Sequence, residues 1–347
     1  MIGLIVCHND WSHSLSFSGK NLSLWDVRNC HVTDKPHYVV TFTIPGLSLE
    51  SFDNYSNANI ISLMKTAMAA RTYILHHPDP VTGDVFLDWP RVTSDRYMFM
   101  SSAEYTMSRK LYDSSIPKWP LDARFSLGNV GNSSVSYVIE LYVHNENTAP
   151  LWKCVTQSVS IDTATRKPSP LPDWFKDKYK GKGCMDKGFI IRGFDRPSLT
   201  YKHQLQVSWS DTDHYQHTNF TSYARFSIDA LHAAIRMENG NTENSRSNKD
   251  SPATNADGHN QREKASDSSD AHPAALKGIT REIISNGLKN IQICYLNESL
   301  EGQNLDAHVW QQAGQKHEVF CSIERGSVEV CQLKLEYFEN DESDDLI

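Results

Sequence analysis

Two stretches of the chain align without a gap: DNYSNANIISLMKTAMAA at 53–70 and DHYQHTNFTSYARFSIDA at 213–230. Asp53 falls on Asp213, Tyr55 on Tyr215, Asn59 on Asn219, Ser62 on Ser222 and Ala70 on Ala230, and Lys65 stands opposite Arg225. The same order of predicted elements surrounds each stretch, so the chain reads as an internal duplication. Its 347 residues suit two domains of about 150 each.

Both copies begin with a strand, HYVVTFTI at 37–44, rich in β-branched and aromatic residues, and YKHQLQVSW at 201–209. A long helix follows. In the first copy it covers 57–75, with Ile60, Leu63, Met64, Ala67, Met68 and Ile74 at helical spacing. In the second it covers 218–235, with Phe220, Tyr223, Ala230, Leu231, Ala234 and Ile235 along one side. Four strands then close each unit, at 96–107, 121–131, 133–145 and 151–162, and at 288–296, 304–312, 316–324 and 327–338. The alternation Val135, Tyr137, Ile139, Leu141, Val143 marks one buried sheet face. Between the units, TRKPSPLPDWF (165–175) is a Pro-rich exit and KDKYKGKGCMDKG (176–188) reads as a solvated basic linker. Residues 238–273 contain no Val, Ile, Leu, Phe, Tyr or Trp and are expected to be a disordered insertion. The divisions are an N-terminal extension 1–34, a first domain 35–175, a linker 176–197, a second domain 198–338 and an acidic tail 339–347.

A formal net charge of -8 argues against a general nucleic-acid binder. The 7 cysteines lack C-x2-C spacing and read as reduced thiols. The apolar run that opens the chain stops at His8 without a basic segment before it, and no stretch approaches the ~20 apolar residues of a membrane span. These features suggest a cytoplasmic protein without a membrane span, with an organelle address left open.

The sharpest motif enters the second helix. Asp211, Asp213, His217, Asn219 and Tyr223 follow the spacing D-x-D-x-x-x-H-x-N-x-x-x-Y. This resembles the helix entrance of hot-dog thioesterases, and Gln216 with His217 brings it nearest to the acyl-carrier-protein (ACP) thioesterases. Tyr215 stands where that pattern has Asn, and Phe220 replaces a second Asn. YLNESLEGQNL (295–305) is similar to the family's Y-x-x-E-C strand segment, with Glu298 at the acidic position and Ser299 in place of Cys. SVSIDTATRKPSPLP (158–172) resembles the family's last strand and Pro-rich exit. The resemblance implies an α+β fold of two tandem hot-dog domains, each a long central helix wrapped by an antiparallel β-sheet. It implies an acyl thioester substrate on CoA or an acyl-carrier protein, no cofactor, and an intrachain pseudo-dimer, with further association of chains left open.

Thioester hydrolysis needs an attacking group, a seat for the oxyanion and a proton carrier. The resemblance places Asp213 as general base or nucleophile, His217 and Glu298 as its assistants, and the carbonyl oxygen at the helix N-terminus, where unpaired N–H groups converge. Tyr215, Asn219, Tyr223 and Ser299 are expected to contact substrate. The plainer reading of Asp213 is a helix cap worth ~1 kcal/mol. His214 and His217 suggest a metal site only weakly, since neither Cys nor H-E-x-x-H accompanies them. In the first copy Asn57 replaces the histidine, and aligning the strands puts Gly131 opposite Glu298, so that half is expected to hold no competent site. Two other functions remain in view: a non-catalytic acyl-binding scaffold, and a hot-dog hydratase or dehydratase, whose D-x-N-P-x-H pattern is missing.

Overall fold

A computed structural model describes residues 27–34, 38–79, 82–146, 149–213, 216–247, 275–276 and 278–339. Eleven strands form one sheet: β1 (Arg28–Asp34), β2 (Val39–Ile44), β3 (Arg96–Met107), β4 (Leu121–Val130), β5 (Ser134–Val143), β6 (Trp152–Asp162), β7 (Tyr201–Gln206), β8 (Leu288–Tyr295), β9 (Asn304–Trp310), β10 (Glu318–Arg325) and β11 (Val328–Tyr337). The helices are α1 (Ile60–His76), α2 (Trp89–Val92), α3 (Asp173–Tyr179), α4 (Phe220–Ser247) and α5 (Arg281–Ser285).

All the strand pairs are antiparallel. From the outer ends inward the order is β2, β4, β5, β6, β3 on one side and β7, β9, β10, β11, β8 on the other. The halves meet where β3 pairs with β8, from Ser102 opposite Cys294 to Thr106 opposite Asn290. Strand β1 adds outside β2, so Arg28–Asp34 belongs to the sheet and not to an extension.

The two long helices lie on one face of this sheet within a single apolar core. Helix α4 packs on β7, β9, β10 and β11 and touches α1. Phe220, Tyr223, Ala230, Leu231, Ala234 and Ile235 are all buried, as their spacing predicts; on α1 only Met68 of the expected stripe is half-exposed. A fully buried large apolar side chain is worth roughly 1.5–3 kcal/mol, so the faces of these helices hold the halves together. Helix α4 runs on to Ser247, into the segment expected to carry no structure; residues 248–274 lie outside the described residues.

The segment joining the halves departs from a solvated tether. Its first turns are α3, which buries Phe175 and Tyr179. Beyond them the backbone crosses the sheet's outer face. Cys184 N–H donates to Leu127 O at 2.9 Å, Ile191 N–H to Ser102 Oγ at 3.2 Å and Phe194 N–H to Gln332 Oε1 at 2.8 Å. This explains why Ser136 on β5 is fully buried although it faces away from the Val135–Val143 stripe. Buried polar side chains need partners, and Ser102, Ser136 and Gln332 on the outer face find them in the linker backbone. At Gly183 a Cβ would lie 2.0 Å from Gly128 O, so only glycine lets the two backbones approach this closely.

His76 carries a pH-dependent part of the stability. It sits in the last turn of α1, where the helix end favours a cation. Burial outweighs that effect and, with the Arg71 charge adding, pushes its pKa from 6.5 down to about 4. The unfolded chain therefore takes up the proton first as pH falls. Stability is retained above about 6.5 and lost progressively down to about 4, by at most ~3 kcal/mol. Urea midpoints at pH 7 and pH 4.5 should differ less in His76→Gln than in the unaltered protein.

Candidate active site

Each long helix is entered through the same turn. In the second half, Asp213 N–H donates to His217 O at 2.8 Å, and Asp213 Oδ1 accepts from His217 N–H at 3.3 Å. In the first half, Asp53 N–H donates to Asn57 O at 2.8 Å, and Asp53 Oδ1 accepts from the N–H groups of Tyr55 and Asn57 at 2.8 and 3.0 Å. Ser56 and Gln216 occupy matching left-handed positions, with φ of 64° and 66°. Both aspartates thus organise a turn, and neither caps the helix. The caps are Asn59, whose side chain accepts from Ile61 N–H at 2.9 Å, and Asn219, which accepts from Thr221 N–H at 3.0 Å. Asp211 is buried and holds Ser208 N–H at 2.9 Å, Asn219 N–H through its carbonyl at 2.8 Å, and the Arg225 guanidinium.

The capping changes what the helix start can offer. Thr218 N–H is taken by Ser299 O, Asn219 N–H by Asp211 O, Thr221 N–H by the Asn219 side chain and Ser222 N–H by Asn219 O. These four amides are committed to acceptors of the chain itself, and Phe220 N–H, the first of α4, is not one of them. Asn219, expected to contact substrate, is the cap of α4.

Glu298 arrives from the turn between β8 and β9. Its Oε2 lies 3.4 Å from His217 Nδ1, an ion-pair distance longer than an ordinary hydrogen bond. The His217 side chain is 13% exposed against 36% for Glu298, so the imidazole is the sheltered partner. The same Oε2 lies 3.4 Å from Arg166 Nη2. Arg166 belongs to the first half. It follows β6 in a turn that Asp162 pins through Thr165 N–H at 2.7 Å, with its own φ at 57°. Its guanidinium lies near the rings of Tyr97 and Phe99, at 5.8 and 5.7 Å from their centroids. The carboxylate is therefore bridged by cationic or ionisable groups from both halves.

A closed hydroxyl cluster sits beneath. Ser299 Oγ lies 2.7 Å from Thr218 Oγ1 and 2.9 Å from Tyr223 OH, and Ser299 N–H donates to Tyr223 OH at 3.2 Å. Thr218 is 1% exposed, and Ser299 and Tyr223 are 0%. Burial pushes the Tyr223 pKa up, so the phenol stays protonated and can donate. Tyr223 and Ser299, expected to touch substrate, bond to each other here. They clamp the Glu298 turn onto the start of α4.

The structure thus brings His217 and Glu298 together, sets Asp213 in the turn beside His217, and adds Arg166. Tyr215 and His214 lie outside the described residues. Gly131 is not the counterpart of Glu298. It ends β4, whereas the turn between β8 and β9 corresponds in strand order to the connection 108–120 between β3 and β4. Arg166 escaped the sequence reading although its segment, 158–172, resembles the thioesterase exit strand. Its partner is 132 residues away, and no local pattern announces a pairing between the halves.

No protein-family model matches this sequence, and no curated protein matches it. Solved structures do match. The 12:0-ACP thioesterase from Umbellularia californica is 15% identical, with a TM-score of 0.56 over 87% of this chain and 97% of that one. An acyl-ACP thioesterase from Bacteroides thetaiotaomicron is 11% identical, with a TM-score of 0.55 over 87% of this chain and 98% of that one. No helix among the described residues is long and apolar enough to cross a membrane. At these identities the likeness is one of fold, and the fold is the hot-dog fold of the acyl thioesterases.

Proposed function

We propose that this chain hydrolyses acyl thioesters, carried on CoA or an acyl-carrier protein, at the entrance of α4. The two halves act as tandem hot-dog domains, the first beginning at the β1 strand and the second near 198. The observation that carries this reading is the Glu298–His217 pair, 3.4 Å apart, on a turn organised by Asp213.

The geometry suits proton handling. Glu298 beside Nδ1 favours the tautomer that carries its proton on Nδ1, which leaves Nε2 as the acceptor in the neutral ring. Asp213 serves as general base toward water, or as the nucleophile that forms an acyl intermediate which water then hydrolyses. Asp213 passes the proton it takes from water to His217 Nε2, Glu298 stabilises the resulting imidazolium, and the ring gives that proton to the departing thiolate; on the nucleophilic route the water that opens the acyl intermediate supplies it. Such carboxylate–histidine distances are often long without substrate and tighten when it binds. The developing oxyanion faces the start of α4, where Phe220 contributes the first amide of the helix. The first half supplies Arg166 and the opposing wall, and no second competent site.

The test is release of free thiol from a panel of acyl-CoA and acyl-ACP substrates, with Asp213→Asn and Glu298→Gln measured alongside. Thiol release that both variants lose supports the proposal. Binding without release points to an acyl-binding scaffold. Addition of water to an enoyl thioester points to a hydratase. Either outcome ends the hydrolase reading.

A further inference from the structure

The entrance of α1, where the first half lacks the histidine, is not closed over. Asn57 is buried there, and its Nδ2 donates to Ser285 O of α5 at 2.9 Å, a bond between the halves. Beside it lies a cleft of ≈ 800 Å³, bounded by the start of α1, the outer side of α4, and α5. That volume falls in the range of small-molecule pockets, about 300–1,000 Å³. It is concave, unlike the flatter face that a protein partner would use.

The cleft's charge runs against that of the molecule. The chain as a whole is -8, yet Lys65, Arg225, Arg236 and Arg281 line the cleft, against Asp53 and Asp229. Arg225 is occupied, bonded to Asp211 and to Asp229 at 3.1 Å. Lys65, Arg236 and Arg281 have no ion-pair partner among the described residues. His232 lies between them, its ring 6.2 Å from that of Tyr55. Burial lowers its pKa; the Arg236 charge adds to that effect, Asp229 and Asp53 oppose it, and Arg281 adds a smaller contribution. Cations gathered in a concave wall focus the potential and raise the local concentration of anions.

We infer that this cleft is a second, non-catalytic ligand site that takes a small polyanion bearing a phosphate or diphosphate group. Lys65, Arg236 and Arg281 hold the phosphate oxygens, Arg by its planar fork and Lys as a point charge. The phosphate is either free or part of a larger molecule such as CoA. The site stands apart from the Asp213–His217–Glu298 turn, and its occupancy does not require thioester hydrolysis.

Isothermal titration of the full chain with inorganic pyrophosphate, and separately with CoA, tests this. Pyrophosphate is expected to bind, and Arg236→Ala with Arg281→Ala to weaken it about tenfold or more, as loss of hydrogen bonds to charged groups does. Arg236→Lys should keep part of the binding, and His217→Ala should leave it unchanged. If CoA shows the same dependence on Arg236 and Arg281, the phosphate comes from the carrier; if only pyrophosphate does, the ligand is a free phosphate compound. Absence of pyrophosphate binding, or binding indifferent to Arg236 and Arg281 in variants that melt like the parent, overturns the inference.

Discussion

His217→Ala is expected to lower kcat/KM for thioester hydrolysis by about 10²–10⁴-fold, the range for a lost acid–base group. Asp213→Asn should be at least as damaging, because it removes the carboxylate proposed to attack or to activate water. Asp53→Asn should leave turnover unchanged. The comparison is sharp because Asp53 and Asp213 build the same turn with the same bonds. A purely structural role for the aspartate would give equal effects at both positions, and equal effects would sink the single-site proposal. Thiol release under saturating and limiting substrate separates kcat from KM, and thermal melts confirm that each variant is folded.

Arg166→Ala is expected to reduce kcat by up to about 10²-fold, the cost of letting a catalytic group drift by an ångström or so. The guanidinium shares Glu298 Oε2 with His217, so its loss frees the carboxylate from one of its two anchors. The Arg166 side chain is 41% exposed, and an exposed ion pair is worth roughly 0–1 kcal/mol of stability. Melting should therefore hardly move while turnover falls. Arg166→Lys should restore turnover in part, because an ammonium keeps the charge and loses the planar fork. A kcat unchanged in Arg166→Ala would mean that the first half contributes no side chain to this chemistry.

Most of the fold was legible because it rests on local, periodic signals. The strands at 96–107, 121–131, 133–145 and 151–162, and their four counterparts after 288, were found within a few residues of their observed ends. The repeat at 53–70 and 213–230 proved to be a repeat of hydrogen bonds as well as of letters. What escaped lacks such a signal. β1 is mixed in composition, and becomes a strand because β2 offers it an edge. The linker looked solvated because its side chains are polar; its backbone is what binds the sheet. Gly131 was matched to Glu298 by sequence offset, and strand order shows that the two end different strands.

The site divides in the same way. Asp211, Asp213, His217, Asn219 and Tyr223 lie within one helix entrance, so their spacing alone placed them together. Their contacts were decided by the tertiary structure: Asn219 caps α4, Tyr223 and Ser299 lock a turn, and Glu298 reaches His217 across a strand connection. The sequence by itself determined most of the helices and strands and a polar turn before each long helix, since propensity and periodicity act between near neighbours. Only the tertiary structure brought Arg166 of one half to Glu298 of the other and opened a cationic cleft at the first entrance. Packing joins residues by distance in space, and no local pattern in the chain encodes that distance.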